Sequence, residues 1–479
     1  MIRAIAPADM LALEQRFMKE TGAPALLLME HAAMVVADAL AGYRRVLFMC
    51  GPGSNGGDGL AAARLFASRG GDAVVWQFGG GASGVIRQQS AMLAGVGVPI
   101  RRVGDSLPEL PRVDCVVDAL FGIGLARPVA GVYADAVGRV NGCGASVLAV
   151  DIASGIDGET GRLLGAAVRA DHTVTFHRPK PGHYLYPGRE YTGRLTIAPI
   201  GIPPPYGVNP TDPTLLEDSD VGAFLPPRKA DSHKGNYGNI LVLAGSAGMA
   251  GAAAICAKAA LCSGAGLVTV ACPSSVLPIA QTLIPEATAL AIETPDDVRS
   301  ALGNRTCAAV GPGLGRGALP LLEPLLTADI PQVWDADALN ALADSGLCPP
   351  ANTVVTPHPG EAARLLGMSV PEIAADPVKA ARLLRQRTGA VTLLKGSTTV
   401  VTDGEAIALN VNGSPAMAKG GMGDALTGVI AAMLAQGLPP YDAARVGAFL
   451  HGQAGSRAAA ALGERSALAS DLIDYLSRH

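Results

Sequence analysis

Short apolar runs alternate with amphipathic helical patterns in two separate series along this chain, and a proline-rich stretch divides the series. In the first, strand-like runs fall at 46–50, 73–78, 98–103, 113–118, 147–151, 172–176 and 195–198. In the second they fall at 240–244, 267–271, 308–311, 332–335, 353–356, 391–394 and 399–402. Runs this short and this aliphatic read as strands buried on both faces of a mostly parallel sheet. Helical patterns occupy many of the gaps (60–68 and 85–94 are the clearest). Two helices open the chain behind Pro7 and Pro24, ending near Gly22 and Leu40, and three close it near 425–436, 441–461 and 467–478. Between the series, 201–227 holds Pro203, Pro204, Pro205, Pro210, Pro213, Pro226 and Pro227, which reads as a linker. The chain's 479 residues are too many for one ordinary domain. The expected fold is α/β with two three-layer αβα domains, at 1–207 and 228–479, joined by a linker at 208–227.

Composition supports this and removes several function classes. The apolar excess is Ala, Val and Leu with 60 Gly, and aromatics are only 4%, which suits helices packed closely on sheets. A net charge of -4 gives no reason to expect a nucleic-acid or anionic-membrane partner. The most apolar stretch, 248–271, contains Lys258 and several glycines and reads as helix, turn and strand rather than a membrane span. Residues 1–7 lack the apolar core of a secretory signal. The eight Cys show no Cys-x-x-Cys spacing and read as buried free thiols in a reducing compartment, so a cytoplasmic location is expected.

The first series carries Gly51-Pro52-Gly53-Ser54-Asn55-Gly56-Gly57-Asp58-Gly59 between a strand and a helix. This satisfies Gly-x-Gly-x-x-Gly, the phosphate-approach pattern of a Rossmann-like domain. A dehydrogenase would place an acid at the end of the next strand, but that strand ends Gln77-Phe78-Gly79 and Asp72 precedes it, so hydride transfer is disfavoured. A glycine-rich tight turn is the plain alternative. The fourth strand ends at Asp118 and the fifth at Asp151, followed by Ser154. Loops at the carboxyl ends of parallel strands converge. Asn55, Asp118 and Ser154 are hard oxygen donors, suited to a large monovalent cation or a structural water, although each acid alone could be a helix cap.

The segments Asn55-Gly56-Gly57-Asp58-Gly59, Asp118-Ala119-Leu120-Phe121-Gly122-Ile123-Gly124-Leu125 and Asp151-Ile152-Ala153-Ser154-Gly155-Ile156-Asp157-Gly158 resemble the motifs of NAD(P)H-hydrate epimerases. Lys180-Pro181-Gly182 and Ile200-Gly201-Ile202-Pro203 match as well, so the resemblance spans roughly residues 1 to 205. It implies a potassium ion at Asn55, Asp118 and Ser154. It also implies the hydrated cofactor along Gly56, Gly57, Asp58, Gly59 and Leu60, along Gly122, Ile123, Gly124, Leu125, Ala126, Arg127 and Pro128, and near Tyr133 and Asp151. Asp151 is the candidate for proton movement, with Lys180 second. Ala153 stands where the family usually has Pro, and Ala33 where it has Gly.

In the second series, Ala418-Lys419-Gly420-Gly421-Met422-Gly423-Asp424 runs into an apolar helix. Glycine amides there can point into one cavity, and the helix adds its positive end, so the segment suits an anion with an acid beside it. Four segments accompany it: Gly245 to Ala252, Gly311-Pro312-Gly313-Leu314-Gly315, Thr356-Pro357-His358-Pro359-Gly360-Glu361, and Lys395-Gly396-Ser397-Thr398-Thr399. No Gly-x-x-x-x-Gly-Lys-Ser/Thr loop is present. Taken singly, His358 reads as a cap, Lys395 as a solvated lysine, and Asp335 and Asp337 as helix caps. As a set, the segments resemble the ribokinase-like fold and, more narrowly, ADP/ATP-dependent NAD(P)H-hydrate dehydratases, over about 220 to 479. The resemblance implies that Ala252, Gly315, His358 and Asp424 line the hydrate site. It implies that Lys395, Gly396, Ser397, Thr398, Thr399 and Gly423 hold ADP or ATP, with Mg2+ accompanying the nucleotide. Ser414 and Ala416 replace the usual Asn and Gly of one loop. The expected activity is repair of hydrated NADH and NADPH: epimerisation of the C6 R and S hydrates in the first domain, and nucleotide-dependent dehydration of the S hydrate in the second. The alternative is a ribokinase-like small-molecule kinase fused to a ligand-binding domain. A homo-oligomer is expected; ADP against ATP preference stays open.

Overall fold

The computed structural model describes residues 1–79, 84–225, 227–315 and 317–476. Pro226 and positions 477 and 478 of the expected closing helix lie outside the described residues. The chain forms two compact units: Arg3–Asp212, and Pro213–His479 together with Met1–Ile2.

After β1 (Ile2–Arg3), the first unit contributes β2 (Arg45–Cys50), β3 (Asp72–Phe78), β4 (Ile100–Val103), β5 (Cys115–Ala119), β6 (Ser146–Val150), β7 (His172–Phe176) and β8 (Arg194–Ala198). They pair in the order β4-β3-β2-β5-β6-β7-β8, every pair parallel. The strand period of two divides the core. Val46, Phe48 and Cys50 pack with helices Pro7–Thr21, Ala25–Ala39, Ser54–Ser68 and Gly84–Gly95. Leu47 and Met49 face the opposite layer, with Val137 and Val140 of helix Val132–Asn141. The strand order reverses between β2 and β5, and ligands of open α/β sheets bind at such a switch. Asn55 follows β2, and Asp118 is the next-to-last residue of β5.

The second unit builds one mixed sheet from β9 (Thr214–Leu215), β10 (Asn239–Leu243), β11 (Leu267–Cys272), β12 (Thr288–Ala291), β13 (Cys307–Val310), β14 (Gln332–Trp334), β15 (Thr353–Val355), β16 (Val391–Leu394), β17 (Thr399–Thr402) and β18 (Ile407–Asn410). Its order is β1-β9-β18-β17-β16-β15-β14-β13-β10-β11-β12. The strands from β10 to β16 are parallel to their neighbours, and β17 is antiparallel to both β16 and β18. Helices Ala250–Cys262, Met422–Ala435 and Pro440–Leu462 share one face of this sheet with Ile240, Val242, Ala309 and Val354.

Several expectations need correction. The stretch expected as a linker supplies β9, which pairs with β18, and a helical turn, Asp218–Val221. The strands β1, β9, β12 and β18 were not expected; each is short, and in β12 three of four residues are exposed and the fourth half-buried. The strand expected from 98 begins at Ile100, because the Val98 amide donates to the Leu93 carbonyl and closes the preceding helix. The helix expected from Leu60 starts at Ser54, because the glycines of the motif adopt helical geometry instead of a loop. No helix among the described residues is long and apolar enough to cross a membrane.

Candidate active sites

In the first unit the chain brings Asn55, Asp118 and Ser154 to one place. Asp118 is the next-to-last residue of β5 and is fully buried. It accepts hydrogen bonds from the Ser154 hydroxyl at 2.7 Å, the Ser154 amide at 2.8 Å and the Leu120 amide at 3.3 Å. Ser154 Oγ also accepts from the Phe121 amide at 2.9 Å. Asn55, 7% exposed, lies against Gly122: a Cβ added there would come within 3.2 Å of Asn55 Oδ1. Burial pushes the Asp118 carboxyl up to about 6, against the pull of Ser154 and Leu120. All these partners are neutral, so a buried carboxylate is left without a counter-charge. The Asn55 Nδ2 is also buried without a hydrogen-bond partner. A buried carboxylate with only neutral partners, beside the Asn55 amide oxygen and the Ser154 hydroxyl, fits a monovalent cation.

A second cluster adjoins the ends of β6 and β7. Asp151 adopts φ of 65°, a left-handed geometry that Asp tolerates. Its Oδ1 accepts from Lys180 Nζ at 2.5 Å and from Thr175 Oγ1 at 3.0 Å. The Lys180 ammonium also donates to Thr175 Oγ1 at 3.0 Å and reaches the Phe176 carbonyl at 3.5 Å. His183 locks the loop: its Nδ1 accepts from the Lys180 amide at 3.0 Å, so its Nε2–H donates to the Asp151 carbonyl at 2.9 Å. Burial holds this imidazole down at about 4, in keeping with the neutral form. Burial works against ionisation of Asp151, but Lys180 outweighs it and keeps the carboxyl below its ordinary value.

The remaining first-unit residues separate into two groups. Gly56, Gly57, Gly59 and Leu60 are buried in the first turns of helix Ser54–Ser68. A Cβ at Gly56 would stand 1.9 Å from the Gly51 carbonyl oxygen, and one at Gly59 would stand 2.5 Å from Ala119 Cβ. These glycines dock the helix on β2 and β5, and the Leu60 side chain belongs to the core. Asp58 is half-buried on the same helix. Tyr133 packs its ring 4.8 Å from Phe121 and 5.5 Å from Phe78, beside the loop 122–128.

In the second unit, five parallel strands present their carboxyl ends together. Asp335 follows β14, is 1% exposed, and its Oδ1 accepts from Lys395 Nζ at 2.7 Å. Its Oδ2 accepts from Thr427 Oγ1 at 3.0 Å. Thr427 lies one turn after Asp424 on helix Met422–Ala435, whose preceding Gly421 (φ 89°) supplies no side-chain cap. The first amides of that helix are therefore left for a ligand, with the helix dipole behind them. Burial, reinforced by Asp335, pushes the Asp424 carboxyl up to about 6. Gly423 fits closely: a Cβ there would be 3.3 Å from Lys395 Nζ and 3.4 Å from Asp335 Oδ2.

His358 caps helix Pro359–Leu366, accepting from the Gly360 amide at 2.9 Å, while its own amide donates to Glu361 Oε2 at 2.8 Å. Glu361 is 5% exposed, with its Oε2 3.9 Å from Lys395 Nζ. Residues 395–398 form the turn between β16 and β17, with Gly396 and Ser397 exposed and Thr398 buried, and Thr399 opens β17. The Gly315 amide donates to Asp337 Oδ2 at 2.8 Å, and a Cβ at Gly313 would be 3.0 Å from Ala252 Cβ, so the 245–252 and 311–315 loops pack together. The loop that departs from the family pattern is self-satisfied. Ser414 caps the turn Pro415–Met417 by accepting from the Ala416 amide at 3.2 Å, and Ala416 is buried against Ala458, Ala459 and Ala467. Sequence reasoning left Asp335 as a helix cap and did not assign Glu361 or Thr427; their partners come from distant segments.

Two family models match the chain: one described as YjeF-related protein N-terminus at residues 25–182, the other as NAD(P)H-hydrate dehydratase at residues 240–478. The bifunctional NAD(P)H-hydrate repair enzyme Nnr of Thermofilum pendens is 38% identical over 97% of this chain and 94% of its own length. The enzyme of the same description from Escherichia coli is 38% identical over 94% and 87%. Among solved structures, the Bacillus subtilis ADP/ATP-dependent NAD(P)H-hydrate dehydratase co-crystallised with ATP/Mg2+ matches with a TM-score of 0.50 and 34% identity. That match covers 55% of this chain and 95% of the other. A ribokinase-like superfamily protein from Enterococcus faecalis, 24% identical, shares the fold with a TM-score of 0.51 over 55% and 94%.

Proposed function

The chain belongs to the family of bifunctional NAD(P)H-hydrate repair enzymes, and on that premise we propose which residues carry each of its two activities. The epimerase is assigned to residues 1–207 and the ADP/ATP-dependent dehydratase to 228–479, both acting on NAD(P)H hydrates; a cytoplasmic location and a homo-oligomeric assembly are part of the proposal.

In the dehydratase, Asp424 accepts the proton of the C6 hydroxyl as general base. That oxygen attacks the terminal phosphorus of the nucleotide, ADP or ATP, which leaves one phosphate shorter. The amides of Gly420 to Gly423 and the Lys395 ammonium stabilise the transferring group. The ring nitrogen's lone pair then expels phosphate from C6, and loss of the C5 proton restores the dihydropyridine. Ala252, Gly315 and His358 are proposed to border the ring, and residues 395–399 the nucleotide. Asp335 already has both oxygens engaged by Lys395 and Thr427. Mg2+ accompanying the nucleotide would neutralise the charge of its phosphates.

In the epimerase, Asn55, Asp118 and Ser154 would hold potassium, which supplies the positive charge that buried Asp118 lacks. The amides and side chains of 122–128 and Tyr133 line the hydrate. Asp151, kept ionised by Lys180, faces C6 as the proton acceptor.

The single observation that carries this reading is Asp424 in the uncapped first turn of a helix, its carboxyl raised to about 6, beside the Lys395–Asp335 pair. Asp424→Asn is expected to lower nucleotide-dependent dehydration about 10²–10⁴-fold with the fold intact, measured as NADH recovery from the S hydrate. Turnover at the wild-type rate would refute the assignment.

A further inference from the structure

The first helix presents an acid to the epimerase site that the motifs do not include. In helix Pro7–Thr21, Met10 and Leu13 are buried in the core, and Glu14 follows Met10 by one turn on the same face. The helix is pinned to the site from three directions. The Ile5 amide donates to the Pro179 carbonyl at 2.8 Å, next to Lys180. Pro7 lies against Gly158, where an added Cβ would be 2.8 Å from its Cγ. Leu13 packs on Gly207, where an added Cβ would be 2.6 Å away. Glu14 is consequently half-buried within electrostatic reach of Lys180, Asp151 and Asp58.

Lys180 has no donor left for this acid: its three protons go to Asp151, Thr175 and the Phe176 carbonyl. Among the described residues, the Glu14 carboxyl forms no hydrogen bond. It feels the lysine's charge but is not clamped by it, and half-burial leaves it accessible to a ligand. The charged or titratable groups acting on it are Lys180 and Asp151 from the loops after β7 and β6, and Asp58 from helix Ser54–Ser68. Burial, opposed by Lys180 and aided by Asp151, pushes Glu14 up to about 7. Asp58 is likewise pushed well above its ordinary value, by burial and by Asp151 and Glu14. Glu14, raised by burial, and Asp151, held below its ordinary value by Lys180, are driven apart by their environments, the arrangement expected of an acid and a base in one site.

We propose that Glu14 is the proton donor of the epimerisation, working opposite Asp151; this rests on the epimerase reading of the first unit. Glu14 gives its proton to the C6 hydroxyl oxygen. The C6–O bond breaks with its electron pair on oxygen, water leaves, and the N1 lone pair forms N1=C6. Water adds to the other face of C6, the N1=C6 pair returns to nitrogen, and the proton released passes to Asp151. Return of that proton to Glu14 through solvent resets the site, so nothing is consumed.

The test uses the full-length chain and purified R hydrate of NADH, with interconversion followed by chromatography across pH and the buffer rate subtracted. Wild-type epimerisation should decline as pH rises through about 7, where Glu14 loses its proton. Glu14→Gln should reduce the rate about 10²–10⁴-fold and remove that limb, and Glu14→Asp should recover part of the rate with a shifted limb. Nucleotide-dependent consumption of S hydrate by the second unit reports whether each variant chain is intact. A Glu14→Gln protein that epimerises at the wild-type rate with the same limb overturns the role of Glu14. A wild-type protein that interconverts the hydrates no faster than buffer overturns instead the epimerase reading beneath it.

Discussion

Lys180 and Lys395 do the same physical work in two unrelated sites: each neutralises an aspartate placed just past a parallel strand, Asp151 and Asp335. Removing either ammonium leaves a buried carboxylate unpaired, and breaking such a pair typically costs about 3–5 kcal/mol. Lys395→Met is therefore expected to lower the urea midpoint of the second unit as well as its activity. Its partner loses the support that holds it below its ordinary value, so the variant should also gain relative stability on mild acidification, as Asp335 protonates. Asp424 behaves in the opposite sense. Its carboxyl is raised from 3.8 to about 6 in the folded chain, so the ionised form opposes folding progressively as pH rises through that window. Asp424→Asn should thus melt no lower than wild type at neutral pH while losing dehydration. In the wild type, the rate should fall as pH drops below about 6, because the base becomes protonated. A thermal melt and a pH–rate profile check the two halves of this prediction. The motif residues could be read from the sequence because glycine runs and isolated acids carry local chemistry. Glu14, Asp335, Glu361 and Thr427 were not assigned, because what makes each one important is a partner far away in the chain.

The helices that frame each site approach their neighbours too closely to admit a side chain at particular points. On helix Met422–Ala435, a Cβ at Gly428 would stand 2.1 Å from the Cys256 carbonyl oxygen of helix Ala250–Cys262. In an exposed helix Gly→Ala gains about 1 kcal/mol. Here the overpacking should dominate, so Gly428→Ala should cost about 1–3 kcal/mol. The same change would displace the helix end that carries Asp424, lowering kcat for dehydration with epimerisation unchanged. Parallel strands were legible as apolar runs because both their faces are buried, and most were placed within a residue or two. β9, β12 and β18 escaped because edge and hairpin strands of two to four residues carry too little pattern to separate from loops. The start of helix Ser54–Ser68 was missed for a related reason: consecutive glycines predict a loop, and only close docking on β2 and β5 makes them helical.

Each unit has its own apolar core on its own sheet, so damage to one site need not reach the other. An epimerase-dead chain should therefore consume only the S hydrate and stop with R hydrate remaining beyond the uncatalysed rate, as Asp151→Ala is expected to show by chromatography. The α/β class and the two series of strands were evident in the sequence; the exact division was less so, since the proline-rich stretch conceals a strand of the second sheet. The most direct measurement gives the purified protein a mixture of hydrated NADH epimers and follows the dihydronicotinamide absorbance with ADP, with ATP and with neither, Mg2+ present throughout. Recovery of NADH from both epimers, dependent on a nucleotide and accompanied by free phosphate, is the predicted result. No recovery with either nucleotide, or a stable phosphoester in place of free phosphate, would contradict the repair reading and favour a small-molecule kinase.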